Sequence, residues 1–236
     1  MFIGHFAVGL AAKKVAPQVK LGTLFFAAQF LDLLWPFFLL FGIEHARIDP
    51  GDTAFTPFDF YDYPFSHSLL TSIGWSIIIG GIYFYSNKYF RNAVIVGCAV
   101  FSHWLLDFFT HKPDLPIAPG IHTVLGLGLW NSIAGTMVVE GSLFMGAVYI
   151  YTSTTKSVDR IGNYAFWGMI ALLLISYIAN ILSPPPPNMT AVTYAGFAQW
   201  LFIVLAYWID RHRYNRIFNK PVKENYHVRN NSRFFN

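Results

Sequence analysis

Six ionisable side chains stand where an apolar chain should not carry them. Asp32 lies in Gln29-Phe30-Leu31-Asp32-Leu33-Leu34-Trp35-Pro36, and His103 and Asp107 lie in Ser102-His103-Trp104-Leu105-Leu106-Asp107. Glu140 falls within a later apolar run, His67 within Pro64-Phe65-Ser66-His67-Ser68, and His5 within an apolar N-terminal segment. An ionisable group inside a membrane span costs several kcal/mol and marks a functional site by default. His103 and Asp107 are four residues apart and share one helix face. Such a pair can hold a metal ion from a rigid backbone, orient an imidazole through its carboxylate, or simply fix packing between helices. At the start of its helix His67 meets a positive dipole end, which favours the neutral imidazole a metal requires. Three His and two Asp are nitrogen and oxygen donors that suit zinc, or else manganese or iron. Five such donors can hold two ions if one Asp bridges them. Glu140 reads as a packing or supporting residue, and Ser66, Ser68 and Ser102 as helix caps or backbone hydrogen-bond partners.

The elements that must position these side chains follow from composition. The chain has 236 residues, 55% hydrophobic and 12% charged, against about 25% charged in a soluble domain. Six runs are long enough to cross a bilayer: 21–43, 68–86, 91–110, 124–151, 164–183 and 190–209. The fourth is longer than a span needs and is expected to tilt or project. The fold class is therefore all-α: a polytopic membrane bundle of about six transmembrane helices. Residues 2–12 are apolar but too short to span, so they predict an amphipathic helix on the membrane face or a half-inserted helix anchored by Lys13 and Lys14. That basic pair follows the apolar stretch, the reverse of a signal peptide, so the segment is expected to remain in the mature protein. A single cysteine, Cys98, excludes an intramolecular disulfide and a Cys-rich metal site.

Charge orients the bundle. Of the sixteen Lys and Arg, Arg47 and Lys112 alone fall on one side of the alternating spans. The positive-inside rule makes the other side cytoplasmic, with both termini inside and the loops 44–67 and 111–123 outside. Topology accounts for the basic residues, so the net charge of +4 does not point to nucleic acid. One transmembrane domain over 1–209, with the metal site within 1–120, is followed by a basic cytoplasmic tail over 210–236. At about 1.5 Å per residue, Asp32 lies roughly 16 Å into its span. On the same rise, His103 and Asp107 lie about 18 and 24 Å beyond Arg91, and His5 at most about 12 Å beyond Lys13. Asp32, His103 and Asp107 thus agree on the outer half. His67 stands higher, and the set closes only if helices tilt or the outer loop folds down.

The order Gly4-His5, the Asp32 segment, Ser66-His67-Ser68-Leu69 and Ser102-His103-(three residues)-Asp107 with Thr110 resembles a family of bacterial inner-membrane proteins described as membrane-bound, metal-dependent hydrolases. The resemblance covers about residues 1–120, with the strongest match at 64–70 and 101–116. The order is also distantly similar to that of zinc-dependent phospholipase C, which would make His5, Asp32, His67, His103 and Asp107 zinc ligands. The resemblance implies one or two zinc ions, a bacterial inner-membrane location and hydrolytic chemistry.

These readings converge on a metal-dependent hydrolase acting near the outer leaflet, with a lipid phosphoester as the substrate suggested by location. His111 and Lys112, on the loop after the third span, are the candidate catalytic and substrate-binding residues. A metal-free phosphohistidine phosphatase would need an Arg six residues before the HxxxD histidine, where this chain has Gly97, and no HExxH protease motif is present. The alternatives from other classes are a metal or small-solute transporter and a non-catalytic membrane scaffold.

Overall fold

The structure is a computed structural model that describes residues 1–216, and it is an all-α helical bundle. Five helices are long and apolar enough to cross a membrane: α5 (Leu69–Asn87), α6 (Phe90–Thr110), α7 (Ile133–Thr154), α8 (Arg160–Leu182), and α9 (Met189–Ala198) continued by α10 (Trp200–Arg211). A bent pair, α2 (Leu21–Ala28) and α3 (Phe30–Leu40), makes a sixth, with a 57° bend.

The bend falls at Gln29, whose φ of −97° and ψ of 2° leave helical geometry for one residue. Seven residues on, Pro36 has no N–H to offer the Asp32 carbonyl, so the turn carrying Asp32 is short of one helix bond. The last span has a one-residue turn at Gln199, but with φ of −61° and ψ of −26° that residue stays helical and the span runs on as one. These two spans lie against each other, α2 with α10 and α3 with α9. Glycine permits the approach on both halves. A Cβ on Gly196 would lie 2.4 Å from Pro36 Cγ, and one on Gly22 would lie 2.2 Å from Tyr207 Cδ2.

The N-terminal segment is the inserted form of the two expected. Helix α1 (Ile3–Val15) is buried along most of its length, packed on α7, α2 and α6. Phe6, Leu10, Phe144, Tyr151 and Phe166 form an apolar core around it, and Leu24, Leu31, Val96, Val100 and Trp104 form a second between α2, α3 and α6. Full burial of such side chains contributes about 1.5–3 kcal/mol each.

Three departures from the expected spans matter for the site. The run 124–151 does not begin as helix. Val124–Leu125 (β4) pairs antiparallel with Leu115–Pro116 (β3), a 3-10 turn covers Leu129–Asn131, and α7 starts at Ile133 under a Ser132 cap. Positive φ at Gly126 and Gly128 turns the chain there, which apolar composition does not reveal. Second, the loop 44–67 is built: β1 (His45–Ile48) and β2 (Phe58–Asp62) form an antiparallel hairpin, followed by a one-turn helix α4 (Pro64–His67). Third, the tail does not start at 210. Helix α10 runs to Arg211, and Arg213–Asn215 (β6) pairs with Thr155–Ser157 (β5). Residues 217–236 of the expected tail lie outside the described residues.

Candidate metal centre

Five candidate ligands from four separate elements meet at one point. Helix α1 carries His5, α3 carries Asp32, α4 ends on His67, and α6 carries His103 and Asp107. Asp107 Oδ1 lies 3.1 Å from His5 Nε2, and Asp107 Oδ2 lies 3.2 Å from His103 Nε2. Asp32 Oδ1 lies 3.5 Å from both His67 Nε2 and His103 Nε2. His67 Nε2 is also 3.9 Å from Asp107 Oδ2. Two three-donor groups result, His5–His103–Asp107 and Asp32–His67–His103, sharing His103. A tetrahedral ion with bonds of about 2.1 Å sets its donors about 3.4 Å apart, and these separations are of that size. His5 and His103 are fully buried and stack face to face at 3.5 Å, while the Asp32 side chain keeps 26% of its surface. Asp32 therefore faces the opening.

The surrounding groups fix which nitrogen of each imidazole faces the centre. His103 Nδ1 lies 2.8 Å from the carbonyl of Ala28, the residue before the bend. A carbonyl only accepts, so Nδ1 carries the hydrogen and donates it. Nε2 is left with its lone pair, buried, with no hydrogen-bond partner among the described residues, and pointed towards carboxylate oxygens. A lone pair facing two carboxylates is repulsive unless a cation, a proton or a metal, sits between them.

His67 is oriented by a relay rather than by a helix dipole. It ends α4, and α5 begins two residues later under the Ser68 cap. Ser66 Oγ donates to Glu44 Oε2 at 2.6 Å and lies 2.6 Å from His67 Nδ1, which donates to it. Glu44 Oε1 accepts the backbone N–H groups of Phe65 and Ser66, both at 2.7 Å. Burial raises the Glu44 carboxyl above its ordinary pKa, and the Ser66 and backbone hydrogen bonds oppose that rise. Groups that hold a ligand's second nitrogen in this way typically carry about ten- to a hundredfold in metal affinity.

His5 is placed from behind. Glu140 Oε2 accepts the Gly4 N–H at 3.3 Å, at the orphan-donor end of α1. Glu140 thus supports the helix that carries a candidate ligand. The α-amino group of Met1 lies 2.5 Å from Asp107 Oδ1.

The other two sequence candidates part company. His111 is buried and lines a cavity of about 160 Å³ that also touches Asp32, His67 and Asp107. Its Nδ1 donates to Asp114 Oδ1 at 2.9 Å, its ring tilts against Trp130 at 4.1 Å, and the Tyr63 hydroxyl donates to the same Asp114 oxygen at 2.9 Å. Burial and the Asp114 carboxylate push the Tyr63 phenol well above its ordinary pKa, so it stays a donor. Lys112 does not line this cavity. It bonds Asp52, and Asp59 at 3.1 Å, while Asp59 also pairs with Arg47 at 2.8 Å. Burial works against the Lys112 ammonium, but the bonds to Asp52 and Asp59 outweigh it and raise its pKa. Geometry thus gives Lys112 the work of pinning the hairpin β1–β2 to the segment after α6.

The hairpin forms the cavity's roof, with Phe55, Phe58 and Phe60 beside Trp35, Tyr63 and Trp130. Sequence reasoning missed Glu44, the relay role of Ser66, and Asp114. The last was legible as an i, i+3 partner of His111. Glu44 and Ser66 are 22 residues apart and meet only because the loop folds inward. No protein-family model, curated protein or solved structure matches the chain.

Proposed function

We propose that this chain is a membrane-embedded, metal-dependent hydrolase that holds one or two zinc ions, or manganese or iron, through His5, Asp32, His67, His103 and Asp107. The reading rests on one observation above the others. His103 Nε2 is buried, stripped of its hydrogen by the bond Nδ1 makes to Ala28, and directed at Asp107 and Asp32. Such a nitrogen next to two carboxylates is a cation site. Zinc bound there supplies hydroxide near neutral pH and polarises a phosphoryl or acyl oxygen.

The chain's own residues support the same chemistry. Asp114 occupies His111 Nδ1 and leaves Nε2 as the nitrogen for proton transfer, in a cavity that also touches Asp32 and Asp107. The aromatic roof lies over a donor cluster in which His5, His103 and Asp107 are buried, and burial strengthens the charge interactions among them. We place the hairpin end outside and the basic end in the cytoplasm, following the Lys and Arg distribution. On that placement the site lies near the outer leaflet of a bacterial inner membrane, where a lipid phosphoester is the substrate within reach.

One observation favours a second reading. A span bent by 57° at Gln29, three residues before Asp32, is a discontinuity of the kind ion pathways use. Metal flux in proteoliposomes, insensitive to His111→Ala, would select it.

The deciding test is metal content by mass spectrometry on detergent-purified protein, wild type beside His103→Ala/Asp107→Ala. One or two equivalents of zinc, absent from the double variant, is the expected result. A folded wild type that takes up no metal when zinc is supplied would overturn the proposal.

A further inference from the structure

The basic end of the bundle holds a cavity that the metal centre does not use. Its volume is about 430 Å³, and it is lined by Lys13 of α1, Lys20 at the head of α2, Thr155 of β5, Asp210 of α10 and Arg213 of β6. Pockets that take small ligands run from roughly 300 to 1,000 Å³.

The charges lining this cavity do not balance. Among the described residues, Lys13, Lys20 and Arg213 stand against Asp210 alone. Lys13 bonds Asp210 at 2.8 Å and neutralises it. Arg213 spends one N–H of each guanidinium nitrogen on the Thr155 hydroxyl and the Gly162 carbonyl. Both acceptors are neutral, and no carboxylate lies within ion-pair distance of Arg213 among the described residues. One N–H on each Nη is left over. Lys20 is exposed, and its ammonium has no partner among the described residues. The internal bonds hold the fold, and they leave two uncompensated positive charges on the wall of one cavity.

The rest of the chain does not supply the missing anion. Beyond Arg216 the sequence adds Lys220, Lys223, Arg229 and Arg233 against Glu224 alone. Like charges around one cavity repel, and an anion from outside removes that cost.

The level of the cavity in the membrane selects the anion. It lies where spans end: α7 closes at Thr154, α10 closes at Arg211 and α2 begins at Leu21. Exposed Tyr149, Tyr164 and Trp208 stand within two turns of the ends of α7, α8 and α10 at the same side, and such rings sit at head-group level. Phosphate groups of the bilayer lie there. A guanidinium with an N–H free on each Nη can meet two phosphate oxygens, and basic pockets between spans bind anionic head groups. A zwitterionic head group brings its own cation and leaves the imbalance in place.

We propose that this cavity binds the phosphodiester of an anionic phospholipid from the leaflet at the basic end, through Lys20 and Arg213, with the Lys13–Asp210 pair as its wall. The site is separate from the metal centre and stands whether or not the chain is a hydrolase.

Native mass spectrometry of the full chain in detergent tests this by counting bound lipid and giving its Kd. The probes are phosphatidylglycerol, phosphatidylcholine with the same acyl chains, and inorganic phosphate. Phosphatidylglycerol is expected to bind about fivefold more tightly than phosphatidylcholine, and inorganic phosphate is expected not to displace it. Lys20→Gln removes a charge at an exposed position and weakens phosphatidylglycerol about fivefold, the worth of one basic residue at a lipid surface. Lys20→Arg restores it. Lys88→Gln, exposed at the same end and outside the cavity, leaves it unchanged. The Lys20→Gln loss recurs in the His103→Ala/Asp107→Ala background, because Lys20 is no part of the metal centre. Equal binding of phosphatidylcholine, unchanged affinity in Lys20→Gln, or an equal loss in Lys88→Gln would overturn the proposal. Displacement by inorganic phosphate would assign the cavity to free anions and overturn the lipid.

Discussion

The two ends of this bundle bury charge in opposite ways. At the basic end every buried charge described is closed by the protein itself. Lys13, 5% exposed, gives hydrogen bonds to the Val19 carbonyl and to Asp210, both at 2.8 Å. Arg213 donates to the Thr155 hydroxyl and the Gly162 carbonyl, and its guanidinium lies over the rings of Phe166 and Tyr151 at 4.8 and 5.3 Å. At the hairpin end, two carboxylates and three imidazoles converge and leave His103 Nε2 without a hydrogen. The first set is closed on itself and holds the fold together; the second, where the Met1 α-amino group meets Asp107, is the one proposed to take a metal. Burial alone would have ranked the two ends alike; the donor and acceptor accounting separates them.

The largest effect that tests this contrast is removal of the open set. His103→Ala/Asp107→Ala abolishes stoichiometric metal, and a chelator lowers the thermal midpoint of the wild type but not of the double variant. Equal chelator sensitivity in both would erase the distinction between the ends. Next in size is the closed pair. Lys13→Met strands a largely buried carboxylate and costs about 3–5 kcal/mol of stability, read by thermal unfolding in detergent, while metal content per folded protein is unchanged. Loss of metal in Lys13→Met would mean that the two ends are one coupled network. Ser66→Ala sharpens the open end itself. It removes the acceptor for His67 Nδ1–H and weakens zinc affinity about ten- to a hundredfold, with recovery in Ser66→Thr. The smallest effect is at the exposed clasp of the basic end. Gly162 N–H and His212 hydrogen-bond the ionised Asp159 and hold its carboxyl below the ordinary value of 3.8. That stabilisation is present above the unfolded-state pKa and is lost as pH falls through the folded one. Asp159→Ala should therefore melt slightly earlier than wild type at neutral pH, and the gap should close as pH drops below 3.8. A gap that persists in acid would mean that the residue acts through packing.

Much of this architecture was readable without coordinates, and the misses have physical causes. The run 91–110 became α6 almost residue for residue, because an uninterrupted apolar stretch of that length has one stable form in a bilayer. The run 21–43 hid the bend at Gln29, since hydropathy is blind to direction and an amide is polar enough to sit at a break yet too weak to end a span. Residues 124–132 read as span because they are apolar, yet only Trp130 among them lines the site cavity, and Val124 and Leu127 stay exposed on a turn set by Gly126 and Gly128. Straight helices at about 1.5 Å per residue leave His5 short of the site and His67 above it. Insertion of α1 against α7, and the inward fold of α4, supply the missing distance.

Residue types and spacing by themselves determined the membrane bundle, its apolar runs and the five side chains worth suspecting, because a buried ionisable group must be explained wherever it falls. Tertiary structure alone decided that α1 inserts, that Lys112 turns away to Asp52 and Asp59, and that Glu44 reaches Ser66. It also decided which nitrogen of His67 and His103 faces the centre. Those outcomes depend on hydrogen-bond partners tens of residues away, and no local pattern encodes which donor will find which acceptor once the chain has closed.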